Sequence, residues 1–294
     1  MAAVPYDVSL NAAVIHQISN LSHKTGGNFQ PAFAGGNVRP SAYFQGESPH
    51  SSSLTTTDLG TILALNTNTF ISAGLCVSAA TTSVPFRLRT DCGTFASGAS
   101  HSAIQCNNTL ATLEAISGKL NQSASADLML RYKSSDGFTP PCSFVGSQTL
   151  ADATFVAEYQ LHSVEINGVV VPELQGVDIS TGIKVIEQKN GGPFNTALFL
   201  SEGLPSITIT TESVSAAAAL LDAAPLGSGI VIAFAKRKSG SIIEDLEDLV
   251  HITIAGATGI QQADTIGGDA RSNSSNTIRV NVLALTSSIG VALA

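Results

Sequence analysis

The side chains in this chain best suited to nucleophilic, acid–base or metal chemistry are six histidines and four cysteines, and their spacing argues against all three. His16, His23, His50, His101, His162 and His251 stand singly, with no H-x-x-x-H pair and no cysteine beside them. Cys76, Cys92, Cys106 and Cys142 form no C-x-x-C pair, and structural zinc sites draw on such close pairs, so no metal site is expected. Parity allows two disulfides, but a chain this long folds without staples, so the cysteines read as small buried hydrophobes or free thiols. Ser100-His101-Ser102 lacks the G-x-S-x-G elbow that would expose a nucleophile. The glycine pairs Gly26-Gly27, Gly35-Gly36, Gly191-Gly192 and Gly267-Gly268 match neither phosphate-binding pattern and read as turns. Glu244, Asp245, Glu247 and Asp248 lack the Asp/Asn alternation and glycine of a calcium loop, which leaves a solvated acidic face. Lys236, Arg237 and Lys238 form the one basic cluster, expected to pair with acids on a neighbouring subunit or to face solvent. The expectation is a protein with no catalytic residues, no cofactor and no metal, and not an enzyme.

Composition bounds the alternatives. Charged residues make up 12%, about half the usual ~25% of a soluble domain, so Ser, Thr, Asn, Gly and Ala must cover much of the surface. Such a surface suits faces covered by neighbours, or a secreted β-rich protein. The net charge of −8 argues against ordinary nucleic-acid binding, which needs Lys and Arg on phosphates. No run approaches the ~18–20 apolar residues of a membrane span, and residues 1–7 lack the basic and apolar regions of a signal peptide. Synthesis in the cytosol is expected.

The sequence reads as the same unit written twice. Lys24-Thr25-Gly26-Gly27-Asn28-Phe29 is echoed by Lys189-Asn190-Gly191-Gly192-Pro193-Phe194, an offset of 165 (189 − 24). Thr56-Thr57-Asp58 returns as Thr210-Thr211-Glu212 at 154 (210 − 56). Ala115-Ile116-Ser117-Gly118 returns as Thr265-Ile266-Gly267-Gly268, with Leu128 and Leu130 meeting Ile278 and Val280, at 150 (278 − 128). The shrinking offset places about fifteen extra residues in the first copy, mostly in a patternless stretch at 35–53. Two domains follow, 1–150 with that insertion and 151–294, joined by a connector over 143–157.

Strand periodicity dominates. Thr277-Ile278-Arg279-Val280-Asn281-Val282 and Ser206-Ile207-Thr208-Ile209-Thr210 alternate strictly, as strands with one buried face require. Asn167-Gly168 between β-branched runs signals a tight hairpin. Short helices are expected at 58–65 and at 213–222 after a Thr211 cap, with a further candidate at 242–250. The expected fold class is mainly β: two tandem antiparallel β-sandwich domains, each with one short helix.

The strand 161–166, the Asn167-Gly168 turn, the strand into Pro172, Gly176-Val177-Asp178-Ile179-Ser180-Thr181-Gly182, then strand, helix and returning strand at 206–234 resemble the tail-tube proteins of long-tailed bacteriophages. The likeness covers 160–294 best and 10–140 less closely, and it lies in element order rather than in a diagnostic motif. It implies tail-tube-like domains, six per ring, so that three copies of a two-domain chain form a pseudo-hexameric ring and rings stack into a tube in the virion tail, assembled in host cytoplasm. The implied partners are the chain itself and other tail proteins (tape measure, terminator, distal tail), with viral DNA passing through an acidic lumen without specific binding. Residues 244–248 are a candidate lumen face, and 35–53 a candidate arm. A distal-tail, terminator or decoration protein is the nearest alternative, and a secreted β-sandwich binding module the next.

Overall fold

The computed structural model describes residues 2–32, 39, 42–65, 76–89, 101–150, 154–220, 224–237, 251–267 and 275–291. They are mainly β in antiparallel sheets, with two short helices. The chain opens with β1 (Ala2–Pro5), β2 (Val8–Leu10), β3 (Ala13–Ile15) and β4 (Ile18–Lys24). A separate hairpin, β5 (Phe29–Ala32) and β6 (Ala42–Gln45), leads into β7 (Ser51–Thr56) and α1 (Leu59–Ala64). Then come β8 (Cys76–Arg89), β9 (His101–Lys119), β10 (Ser125–Tyr132) and β11 (Cys142–Gln148).

The second half repeats this order. β12 (Tyr159–Ile166), β13 (Val169–Val170) and β14 (Leu174–Ser180) precede a hairpin of β15 (Lys184–Lys189) and β16 (Asn195–Glu202), then β17 (Ser206–Thr211) and α2 (Val214–Ala218). β18 (Ala224–Pro225), β19 (Ile230–Lys236), β20 (His251–Gly256), β21 (Gly259–Thr265), β22 (Asn276–Val282) and β23 (Thr286–Val291) complete it.

Pairing registers equate the halves residue by residue. β4 pairs β7 with Ile18 opposite Thr56, a bulge, then Asn20 opposite Thr55. β14 pairs β17 with Leu174 opposite Thr211, the same bulge, then Gly176 opposite Thr210. β10 pairs β9 with a register shift between Asp127 and Leu128, and β22 pairs β21 with one at the matching place, between Ile278 and Thr277. Asn11 and Asn167 turn the first hairpin of each half with φ of 54°, the left-handed region that Asn tolerates. Their carboxamide oxygens accept from Ala80 N and Ser228 N, both at 2.9 Å. Gln17 and Glu173, at φ 52° and 51°, make the next corner in each half.

A buried threonine closes that corner. Thr56 Oγ1 donates to His16 O at 2.5 Å and accepts from Asp58 N at 3.0 Å. Thr211 Oγ1 donates to Pro172 O at 2.6 Å and accepts from Ser213 N at 3.0 Å. Asp58 and Ser213 then cap α1 and α2. Thr56 therefore answers to Thr211, an offset of 155 (211 − 56), one position from the apparent sequence match, and Ser213 rather than Thr211 is the cap.

The opening echo also shifts. β4 answers to β14 at 156 (174 − 18), whereas Lys24 ends β4 and Lys189 ends β15. Twenty-six residues (25–50) join β4 to β7 and twenty-five (181–205) join β14 to β17. Each half thus carries a hairpin of similar length there, and the first has no fifteen-residue surplus. Within 35–53, Ser51–Ser53 open β7, whose alternating burial continues to Thr56; residues 35–38, 40 and 41 lie outside the described residues. The expected connector contains a strand, β11, whose residues are all partly or fully exposed, which is why it shows no periodicity.

One core runs through both halves, including Leu10, Leu113 and Leu128 in the first and Ile209, Phe234 and Ile278 in the second. Each such side chain contributes about 1.5–3 kcal/mol on burial. A fourteen-stranded sheet has a main path of nine strands, β18-β21-β22-β17-β14-β9-β10-β7-β4, from which β8 and β11 branch at β9 and carry β1, β2 and β3 through β8; a five-stranded sheet has the order β13-β12-β19-β20-β23.

Candidate assembly interface

In the large sheet the four strands β21-β22-β17-β14 are followed by their own counterparts, β9-β10-β7-β4. The joint is β14 against β9, antiparallel, from Gly176 opposite Lys119 to Ser180 opposite Ala115. Thr181 locks one end, its N donating to Glu114 O at 3.1 Å and its hydroxyl to Leu113 O at 2.5 Å. Leu120 N donates to Gln175 O at 3.2 Å at the other. Gly118 fits because a Cβ there would strike the Phe234 ring at 2.7 Å.

A second contact accompanies the strand pairing. The β15–β16 hairpin carries Phe194, buried, onto the loop after β10: Phe194 N donates to Gly137 O at 3.1 Å and Ser134 N to Asn195 O at 2.7 Å. Gly192 and Gly137 touch backbone to backbone, leaving no room for a Cβ on Gly192. Asp136 stiffens the receiving loop by accepting from Thr139 N and Phe138 N, bonds that hold its exposed carboxyl well below the usual carboxylate range. Arg131 lies 3.7 Å from Glu187, and Lys189 lies 2.7 Å from Glu47. The junction is heterologous: the edge strand and hairpin of one unit meet a different edge and loop of the next.

The matching surfaces at the two ends of the sheet have no such neighbour among the described residues. Beyond β4 no strand follows, and β21 pairs on its outer side only with β18, at Gln261 and Ile260. Ile116, 1% exposed at the joint, answers to Ile266, 38% exposed. Lys133, beside the receiving loop, answers to Leu283 at 150 (283 − 133), and Leu283 is 80% exposed. Tyr43, on the first unit's hairpin, is also exposed. Exposed edges of this kind invite pairing with another chain.

The residues flagged for chemistry fall elsewhere. His101 and His251 are equivalent, each buried at the head of a strand, at β9 and β20. His251 Nδ1 accepts from Lys236 N at 3.1 Å, a structural use of the ring. Arg237 pairs with Glu158 of its own chain at 3.6 Å, so that cation is engaged within the chain. Cys106 and Cys142, expected as small buried hydrophobes or free thiols, are disulfide-bonded, because β9 and β11 place them directly opposite one another. Cys92, Ser100, Lys238, residues 242–250 and the 244–248 acidic run lie outside the described residues. No helix among those described is long and apolar enough to cross a membrane. The architecture defines a class, a mainly β chain of large antiparallel sheets. No protein-family model matches the chain, and no curated protein is significantly similar to it.

Proposed function

We propose that this chain is the tail-tube protein of a long-tailed bacteriophage, a structural virion protein whose two sandwich domains form a third of a pseudo-hexameric ring. The observation that carries the reading is the β14–β9 joint with its docked hairpin. Repeated between chains, the same contact sets β4 of one protomer against β21 of the next, and the β5–β6 hairpin against the surface around Leu283. A heterologous contact that closes gives a ring without sheet edges, and stacked rings give a tube. Three protomers, six units, is the count that the resemblance to tail tubes implies. The net charge of −8 suits a conduit from which DNA must slide freely. Other tail proteins would cap and fill it, with the virion tail as its place.

Transferring the joint register predicts Lys24 opposite Thr265 and Ser22 opposite Gly267 in the neighbour. Lys24→Cys/Thr265→Cys protein, with Cys76 and Cys92 changed to Ser, should oxidise to a ladder ending at covalent trimer on a non-reducing gel. Electron microscopy across a concentration series should show hollow tubes with pseudo-six-fold walls. Discrete rings would instead favour a terminator or distal-tail role, and monomers without cross-links at any concentration would overturn the assembly reading.

A further inference from the structure

Three side chains far apart in sequence meet beside the disulfide. His23 on β4, His50 just before β7 and Cys142 at the start of β11 each offer a ligand atom, and the three atoms lie within 4.8 Å of one another. His23 Nδ1 lies 2.8 Å from Ser52 Oγ, which also accepts from Tyr132 Oη at 2.7 Å. With the proton on Nδ1 donated to Ser52, Nε2 keeps its lone pair for a metal, the supporting arrangement that ligating histidines use. His50 Nδ1 is buried without a hydrogen-bond partner. Tyr132 N donates to His50 O at 3.2 Å, and the Phe194 ring stands edge-on to the imidazole at 5.5 Å, so backbone and ring are both held.

We infer that His23, His50 and Cys142 form a zinc site that the Cys106–Cys142 disulfide closes and reduction opens. Two imidazoles and one thiolate suit Zn2+, leaving a fourth position for water. Tetrahedral ligands sit roughly 3.5 Å apart, within reach of small rotamer shifts from the present spacing. Reduction by a trialkylphosphine and water breaks the S–S bond, giving two thiols and the phosphine oxide. Zn2+ then replaces the Cys142 thiol proton, which leaves to solvent. The site joins β4, β7 and β11 under Phe194 of the second half, so metal would fasten the docked hairpin from beneath.

The test is a titration of full-length protein with Zn2+ against a chromophoric chelator, and with Co2+ for the near-ultraviolet thiolate charge-transfer band. Reduced protein should bind one metal per chain with that band, and oxidised protein should bind none. Cys106→Ser protein should bind without any reductant. Cys142→Ser should bind weaker by more than the ~10–100-fold that even supporting partners contribute, although it lacks the same disulfide. Ser52→Ala should weaken binding about 10-fold. Equal binding by the two serine variants, or by oxidised and reduced protein, would overturn the site. Because both variants lose the bridge, a folding defect from its loss cannot mimic the expected difference.

Discussion

Strand β14 lies between β17 and β9 with Leu174, Val177 and Ile179 buried, whereas its counterpart β4 pairs, among the described residues, only with β7 and leaves Ile18 and Leu21 partly exposed. The strands share a register and a bulge, so the difference lies in the neighbour rather than in the fold. The same holds for Ile116 and Ile266, and for the loops near Lys133 and Leu283. In one unit that surface is covered by its neighbour, and in the other it is uncovered among the described residues.

The sharpest way to break the comparison is to place the same charge at both positions. Ile116→Asp buries an unpaired carboxylate at the joint and should cost at least ~4–5 kcal/mol, enough to unfold a marginal protein. Ile266→Asp should change the stability of the isolated chain by no more than about 0.5 kcal/mol, yet stop its assembly, as sedimentation would register. If Ile266→Asp assembled normally, β21 would not be the edge used.

Less of this pairing was legible in the sequence than of the strands themselves. β17 and β22 announced themselves because one face is buried and the other is not, so alternation survives in the residue types. Asn167-Gly168 marked one hairpin; Asn11-Ala12 hid the equivalent one, since a single left-handed asparagine suffices there and leaves no glycine to read. The Lys-x-Gly-Gly echo misled because turn glycines recur wherever hairpins do, while Thr56 and Thr211 work through main-chain bonds that many neighbouring threonines could have made. The cluster of His23, His50 and Cys142 was invisible, because sheet pairing rather than local spacing assembles it.

The next largest difference concerns the cross-link. Cys106 answers to Gly256, so the second half has no bridge at the corresponding β20–β23 pairing. The bond closes a loop of sequence separation 36, which in the chain-entropy account contributes roughly 3–4 kcal/mol. Reduction in the presence of a chelator should therefore speed hydrogen exchange in β9–β11 while β20–β23 keep their protection. Equal loosening of both would mean that the halves unfold as one cooperative unit.

The smallest contrast is one of protons. His162 in the second half answers to Tyr6 in the first, at 156 (162 − 6), and its pKa is lowered by burial and then by the nearby His251. Well above 6.5 the ring is neutral whether folded or not, and stability does not depend on it. As pH falls below 6.5 the unfolded chain takes up a proton that the folded one resists, so stability declines until the pH has passed the depressed folded value. His162→Tyr, which copies the first half, should flatten that part of the acid limb without altering stability at pH 8 by more than about 0.5 kcal/mol. An unchanged slope between pH 6.5 and 5 would show that the histidine pair is hydrated in solution, and that the two halves meet acid alike.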